Sequence, residues 1–254
     1  MEKNKEMKVQ TTLKESVAFI TFYNPPVNAL PTEVLRDLAV HIESAGAEKG
    51  VRSIVLQSEG RVFCAGASFD ELIKLQETDE AKEFFMGFAH VILAMRSAPK
   101  PVIVRVQGKT VGGGNGLVAA ADFGVAVESA AFKLSELSIG IGPYVIGPAI
   151  IRKTGIAFFQ QMSFSPWRWF SAFEVKRAGL LTHVTENMKR VDEIIEEITS
   201  AYEKYDEEAV AMLKAEIWKD TAGWEKVLEE QAEKSASLLL RKETKAILEK
   251  LKGK

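Results

Sequence analysis

The sequence holds a single cysteine, Cys64, in 254 residues. One thiol can form no intrachain disulfide and no cysteine metal cluster, and it fits a reducing compartment. The three histidines, His41, His90 and His183, are far apart and form no metal-binding string. No apolar run approaches the roughly 20 residues that span a bilayer. The opening "MEKNKEMKVQ" is charged where a secretory signal would be apolar, so the expected location is the cytoplasm. Charge of either sign is not in excess. Thirty-three Lys and Arg face 35 Asp and Glu, for a net charge of -2. That argues against a nucleic-acid binder acting through bulk positive charge and leaves a local basic patch open. No G-x-S-x-G is present, which leaves a serine-hydrolase triad unsupported. No P-loop string occurs, and a dinucleotide fingerprint starting at Gly112 and Gly114 would need glycine at Leu117.

What is present is an ordinary globular composition, 46% apolar and 27% charged. The length suits one α/β domain. "SVAFITFYN" (16–24), "RSIVLQS" (52–58), "KPVIVRV" (100–106), "FGVAVES" (123–129) and the short "AAFKLS" (130–135) read as strands. Between them, Val34, Leu35, Leu38, Ala39 and Ile42 repeat at helical spacing, with Gly46 and Gly50 expected to end that helix. A second helix is expected over about 80–97, with Phe84, Phe85, Phe88, Val91, Ile92 and Met95 on its apolar face. Strands alternating with helices predict parallel pairing through right-handed crossovers. Ser171 followed by Glu174 has the form of a capping box. Beyond about Val191 the chain reads as charged amphipathic helix, which suits oligomer contacts or packing on its own core. The expected division is a core domain over 1–190 and a helical region over 191–254 that covers the site and joins subunits.

The candidate chemistry lies in three small-residue segments. "KTVGGGNGLVAAAD" (109–122) runs a strand into glycines and a helix start, which aims free N–H groups at one point. "RVFCAGASFDEL" (61–72) offers a second such turn. "AAFKLSELSIGIGP" (130–143) sets Glu136 among apolar neighbours, where desolvation raises a carboxyl's pKa. Two N–H-bearing turns and a sheltered carboxylate suit an oxyanion site with an acid/base. Asp122 and Cys64 read as structural. "SPWRWF" (165–170) reads as packing against neighbouring helices or a subunit, or as part of a pocket wall. Lys242, Lys245 and Lys250 read as solvated helix faces or as partners of a phosphate.

These segments, with "NPPVNAL" and "SAFEVKRAGLL", resemble the enoyl-CoA hydratase/isomerase (crotonase) family, and "SELSIGIGPYVIGPAIIRK" looks closest to its methylglutaconyl-CoA hydratase-like branch. The resemblance implies a spiral of ββα units with a helical C-terminal region, assembled as homotrimers or homohexamers. It implies an acyl-CoA substrate, with coenzyme A part of that substrate and no further cofactor or metal. Carried over by position, the backbone N–H groups of Ala67 and Gly113 form the oxyanion hole and Glu136 is the acid/base. Val27, Ala29 and Ala65 line the path of the CoA. Ser68, Phe69, Gly112, Gly116 and Ser135 complete the substrate contacts. The sequence departs from the family in two places. Gly116 stands where hydratases commonly carry a first glutamate, and Ser68 replaces the aspartate of "AGAD". A lone glutamate leaves open hydration, double-bond isomerisation, other CoA-ester chemistry, or ligand binding without catalysis. A second carboxylate opposite Glu136 would favour two-residue hydration, and an apolar wall would favour isomerisation.

Overall fold

The computed structural model describes residues 7–252. In chain order the first half is β1 (Lys8–Lys14), β2 (Val17–Tyr23), β3 (Ala29–Leu30), α1 (Thr32–Ala47), β4 (Ser53–Ser58), β5 (Gly66–Ala67), α2 (Phe69–Lys74), α3 (Thr78–Ser97) and β6 (Val102–Val106). There follow β7 (Thr110–Val111), α4 (Gly113–Ala120), β8 (Phe123–Val127), β9 (Ala131–Lys133) and a 3-10 turn over Glu136–Ile139. The remainder is α5 (Gly147–Thr154), α6 (Ile156–Ser163), β10 (Phe170–Ser171), α7 (Ala172–Arg177), β11 (His183–Thr185) and the helices α8 (Met188–Tyr202), α9 (Glu207–Trp218), α10 (Trp224–Leu239) and α11 (Lys242–Lys252).

The main sheet has the order β1-β2-β4-β6-β8-β11. From β2 onward every neighbouring pair is parallel, as the alternation of strands and helices predicts. The β1 strand is antiparallel to β2 and was not expected from the sequence. Its "KVQTTLK" sits on the sheet edge, largely exposed, and carries no apolar alternation to announce it. Two small sheets, β3-β5 and β10-β9-β7, take up the short strands β3, β5, β7 and β9 that follow β2, β4, β6 and β8 in the chain. They produce the repeated ββα turns of a mixed α/β spiral.

The α1 helix buries Val34, Leu35, Leu38, Ala39 and Ile42, the face its spacing predicts. It runs through Gly46 to Ala47, so the first of the two expected stop glycines lies inside it. Gly46 is tolerated because the helix packs closely there, its missing Cβ facing Pro99 and Ala98 at 3.5 and 3.6 Å. The α3 helix buries Phe84, Phe85, Phe88, Val91, Ile92 and Met95, and α1 and α10 pack against it. Ser171 and Glu174 form the expected capping box: the Glu174 N–H donates to Ser171 Oγ at 3.3 Å, and the Ser171 N–H donates to Glu174 Oε2 at 2.9 Å.

The C-terminal helices share the core of the earlier residues. Val191, Ile195, Leu228, Ala232, Ala236 and Leu239 belong to the same buried cluster as the sheet. Asp122 and Lys214 pin α9 in place. The Lys214 ammonium, 7% exposed, donates to Asp122 Oδ2 at 2.8 Å and to the carbonyls of Met95 and Lys100 at 2.9 and 2.8 Å. Asp122 Oδ2 also accepts the Val102 N–H. Asp122 is therefore the structural residue the sequence suggested. Trp218 and Trp224 pack edge to face at 5.8 Å.

Candidate active site

Main-chain hydrogen bonds stitch the three small-residue segments together. The Phe63 N–H donates to Lys109 O at 3.0 Å, and the Val111 N–H donates to Cys64 O at 2.8 Å, which joins the first segment to the second. The Gly112 N–H donates to Lys133 O at 2.9 Å and joins the glycine segment to the one that carries Glu136. Asn115 locks the junction, its Nδ2 donating to Lys133 O at 3.0 Å and to Gly112 O at 3.1 Å. Asn28 braces the first loop through Nδ2 bonds to Glu59 O and Val62 O, both 2.7 Å.

The glycines permit these approaches. Gly112 has φ +51° and ψ -122°, a conformation closed to L-residues, and a Cβ there would lie 3.1 Å from Glu136 Oε1. The helix then begins at Gly113, so the glycines form the first turn of α4 and not a loop ahead of it. A Cβ on Gly113 would stand 2.1 Å from a Phe88 ring carbon. As the first helical residue, Gly113 has an N–H without an intrahelical acceptor. In the other loop the Ser68 N–H is donated to Leu30 O at 3.1 Å. Successive N–H groups of a strand point to opposite edges, so the N–H of Ala67 faces away from β3.

Both residues line one cleft with a cavity volume of about 60 Å³. Glu136 lines it too, as the first residue of the 3-10 turn. That turn is closed by Gly140, left-handed at φ +81°, and by an Ile141 N–H donated to Glu136 O at 3.1 Å. Glu136 is half-buried as a residue, but its Oε2 atom is fully buried and no described residue bonds to it. Desolvation by burial raises its carboxyl from 4.5 to about 7, against the weaker pull of the Glu136 and Ser135 N–H groups.

Ala65, Phe69, Gly112 and Ser135 join Ala67, Gly113 and Glu136 around the cleft. Val27, Ala29, Ser68 and Gly116 do not line it. Val27 is exposed beside the cis Pro25–Pro26 peptide. Ala29 pairs with Gly66 in the β3–β5 ladder, and Ser68 precedes α2 as its N-cap. Gly116 faces the core, where a Cβ would stand 2.5 Å from Ile146 Cγ2. Ile146 thus fills the space a residue-116 side chain would need, and Ile146 itself lines the cleft.

Sequence reading missed most of the remaining wall: Leu72, Phe85 and Phe88, then Ile141, Tyr144 and Ser235. Only the apolar periodicity of α3 hinted at the two phenylalanines. Cys64 is buried, and desolvation pushes its thiol up to about 12, so it is no nucleophile. Lys245 does not wait for a phosphate, because its ammonium bonds the carbonyls of Leu72, Ile73 and Leu75 and so ties α11 to α2. His41 and His183 hydrogen-bond Thr11 and Thr182 respectively. Among the described residues no group of three or more His, Cys, Asp or Glu is placed to hold a metal, and no helix is long and apolar enough to cross a membrane.

A family model described as enoyl-CoA hydratase/isomerase matches residues 12–251. A probable enoyl-CoA hydratase of Bacillus subtilis is 33% identical over 55% of this chain and 54% of its own length. A probable enoyl-CoA hydratase of Rhizobium meliloti is 32% identical over 78% of this chain and 76% of its own. The mitochondrial methylglutaconyl-CoA hydratase of Mus musculus is 32% identical over 65% of this chain and 52% of its own, so the chain spans about half the length of several curated relatives. The fold of an enoyl-CoA hydratase from Bacillus halodurans superposes with a TM-score of 0.89 at 24% identity, covering 95% of this chain and 99% of that one.

Proposed function

The chain belongs to the enoyl-CoA hydratase/isomerase family, and we propose that within it the chain works as a hydratase-type enzyme with a single carboxyl acid/base. The thioester oxygen accepts the N–H groups of Ala67 and Gly113, which stabilise it as it becomes an enolate. The Glu136 carboxylate takes a proton from water as the water oxygen bonds to C3. The C2–C3 electron pair moves onto the thioester oxygen. Glu136 then returns the proton to C2 and is again a carboxylate. One observation carries this reading: a buried Glu136 carboxyl oxygen that no described residue bonds, in the cleft that Ala67 and Gly113 also line. A carboxyl near pH 7 is available in both protonation states at neutral pH, as one residue in two roles requires.

A second reading, double-bond isomerisation, is favoured by Ile146. With the Gly116 position filled, the cleft offers no second carboxylate among the described residues. Glu136 would then remove a proton at C2 of a 3-enoyl thioester and return it at C4. Incubation with crotonyl-CoA and with a 3-enoyl-CoA in ¹⁸O-water separates the two. Hydration consumes the conjugated thioester and puts one labelled oxygen into the product. Isomerisation forms the conjugated thioester without label. No turnover of any enoyl-CoA, or turnover unchanged in Glu136→Gln, defeats both. For assembly we propose a homotrimer or homohexamer, supported by Met212, Leu213 and Ile217, which stand exposed on α9. Light scattering that returns a monomer mass contradicts it.

A further inference from the structure

We propose that the acyl cleft selects enoyl thioesters whose acyl group is uncharged, and that Ile146 sets how far that group extends. The inference rests on the reading that this cleft receives an acyl-CoA, and it names the substrate class. Among the described residues lining the cleft, Glu136 is the one carboxylate, and there is no lysine, arginine or histidine. The wall is built from Phe69, Leu72, Phe85, Phe88, Ile141 and Ile146. Its remaining side-chain polar groups are neutral hydroxyls on Ser135, Tyr144 and Ser235, and the Ser235 hydroxyl is already donated to Gln231 O at 3.1 Å. Lys245, on the helix clamped to α2, is committed to the carbonyls of Leu72 and Ile73.

A second carboxylate on the acyl group would therefore leave water without a countercharge, and burying an unpaired ion is strongly unfavourable. It would also share the cleft with Glu136, and two carboxylates in one site resist ionising together. An apolar acyl group meets neither obstacle. Ile146 closes the side of the cleft next to Gly116. That side chain is 4% exposed and occupies the space beside Gly116, so the cleft cannot continue towards α4.

Two measurements on the wild-type protein test the charge rule. Calorimetry compares isovaleryl-CoA with 3-methylglutaryl-CoA, saturated esters whose binding does not depend on which reaction Glu136 runs. The dicarboxylic ester is expected to bind on the order of 10²-fold more weakly. Steady-state kinetics compares 3-methylcrotonyl-CoA with 3-methylglutaconyl-CoA, with a kcat/KM ratio of the same order in favour of the neutral substrate. Equal or tighter use of the dicarboxylic partner in either assay overturns the proposal. If no enoyl ester reacts while the saturated pair still separates, the reaction reading falls and the selection rule stands. Ile146→Ala tests the second half. Its kcat/KM for hexenoyl-CoA should rise at least about tenfold relative to crotonyl-CoA. A uniform loss for both chain lengths would give Ile146 a purely structural role and overturn its assignment.

Discussion

Replacing Glu136 by glutamine should change the pH dependence of folding stability whether or not any substrate is present. Burial moves the carboxyl from 4.5 in the open chain to about 7 in the fold. Below pH 4.5 it is protonated in both states, and the folded protein has its full stability. As pH rises from 4.5 towards 7, the unfolded chain releases the proton and the folded chain keeps it. The unfolded state then binds fewer protons, so stability falls with pH. Above pH 7 the loss is complete. At about 1.36 kcal/mol per pH unit, a difference of ~2.5 units amounts to about 3 kcal/mol. Glutamine does not titrate, so Glu136→Gln carries only a pH-independent offset. Urea unfolding of both proteins from pH 4 to pH 9 reads the difference directly. The wild type should lose about 3 kcal/mol relative to the variant between pH 4.5 and pH 8. Two stability curves that stay parallel within ~0.5 kcal/mol would refute the claim that desolvation dominates at this carboxyl.

Gly116→Ala should destabilise the fold by about 1–3 kcal/mol, because its Cβ would lie 2.5 Å from Ile146 Cγ2. In the Gly116→Ala/Ile146→Ala double variant that strain should vanish, a non-additivity that a double-mutant cycle in urea measures. Lys214→Met removes the partner of the largely buried Asp122 and three hydrogen bonds at once, and chemical denaturation should register a loss of about 3–5 kcal/mol.

Residues whose roles are local are legible in the sequence. The apolar spacing of α1 and α3, the Ser171–Glu174 cap and the parallel pairing of the strands follow from periodicity and short-range rules. So does the shelter around Glu136, because Leu134, Ile139 and Ile141 adjoin it in the chain. Long-range features stayed hidden. Ile146 fills the Gly116 position from 30 residues away, and nothing in "GPYVIGP" says which side chain turns towards α4. Ser235 reaches the cleft from α10, and Lys245 closes α2 from α11, each more than 90 residues from the glycines. The β1 strand was missed for a different reason: an exposed edge needs no apolar face, so its polar sequence resembles a tail. Val27, Ala29 and Ser68 were placed at the site by family position, and they stand in the turn, in the β3–β5 ladder and at the start of α2.

The central claim is that two main-chain N–H groups, on Ala67 and Gly113, hold one thioester oxygen beside Glu136. Isotope-edited infrared spectroscopy of crotonyl-CoA, labelled with ¹³C at the thioester carbonyl and bound to Glu136→Gln, addresses that contact alone. Two donors polarise the carbonyl, so its stretch should fall to lower frequency than in water. A band at or above the aqueous frequency, with binding established by calorimetry, would show that the oxygen meets no such pair.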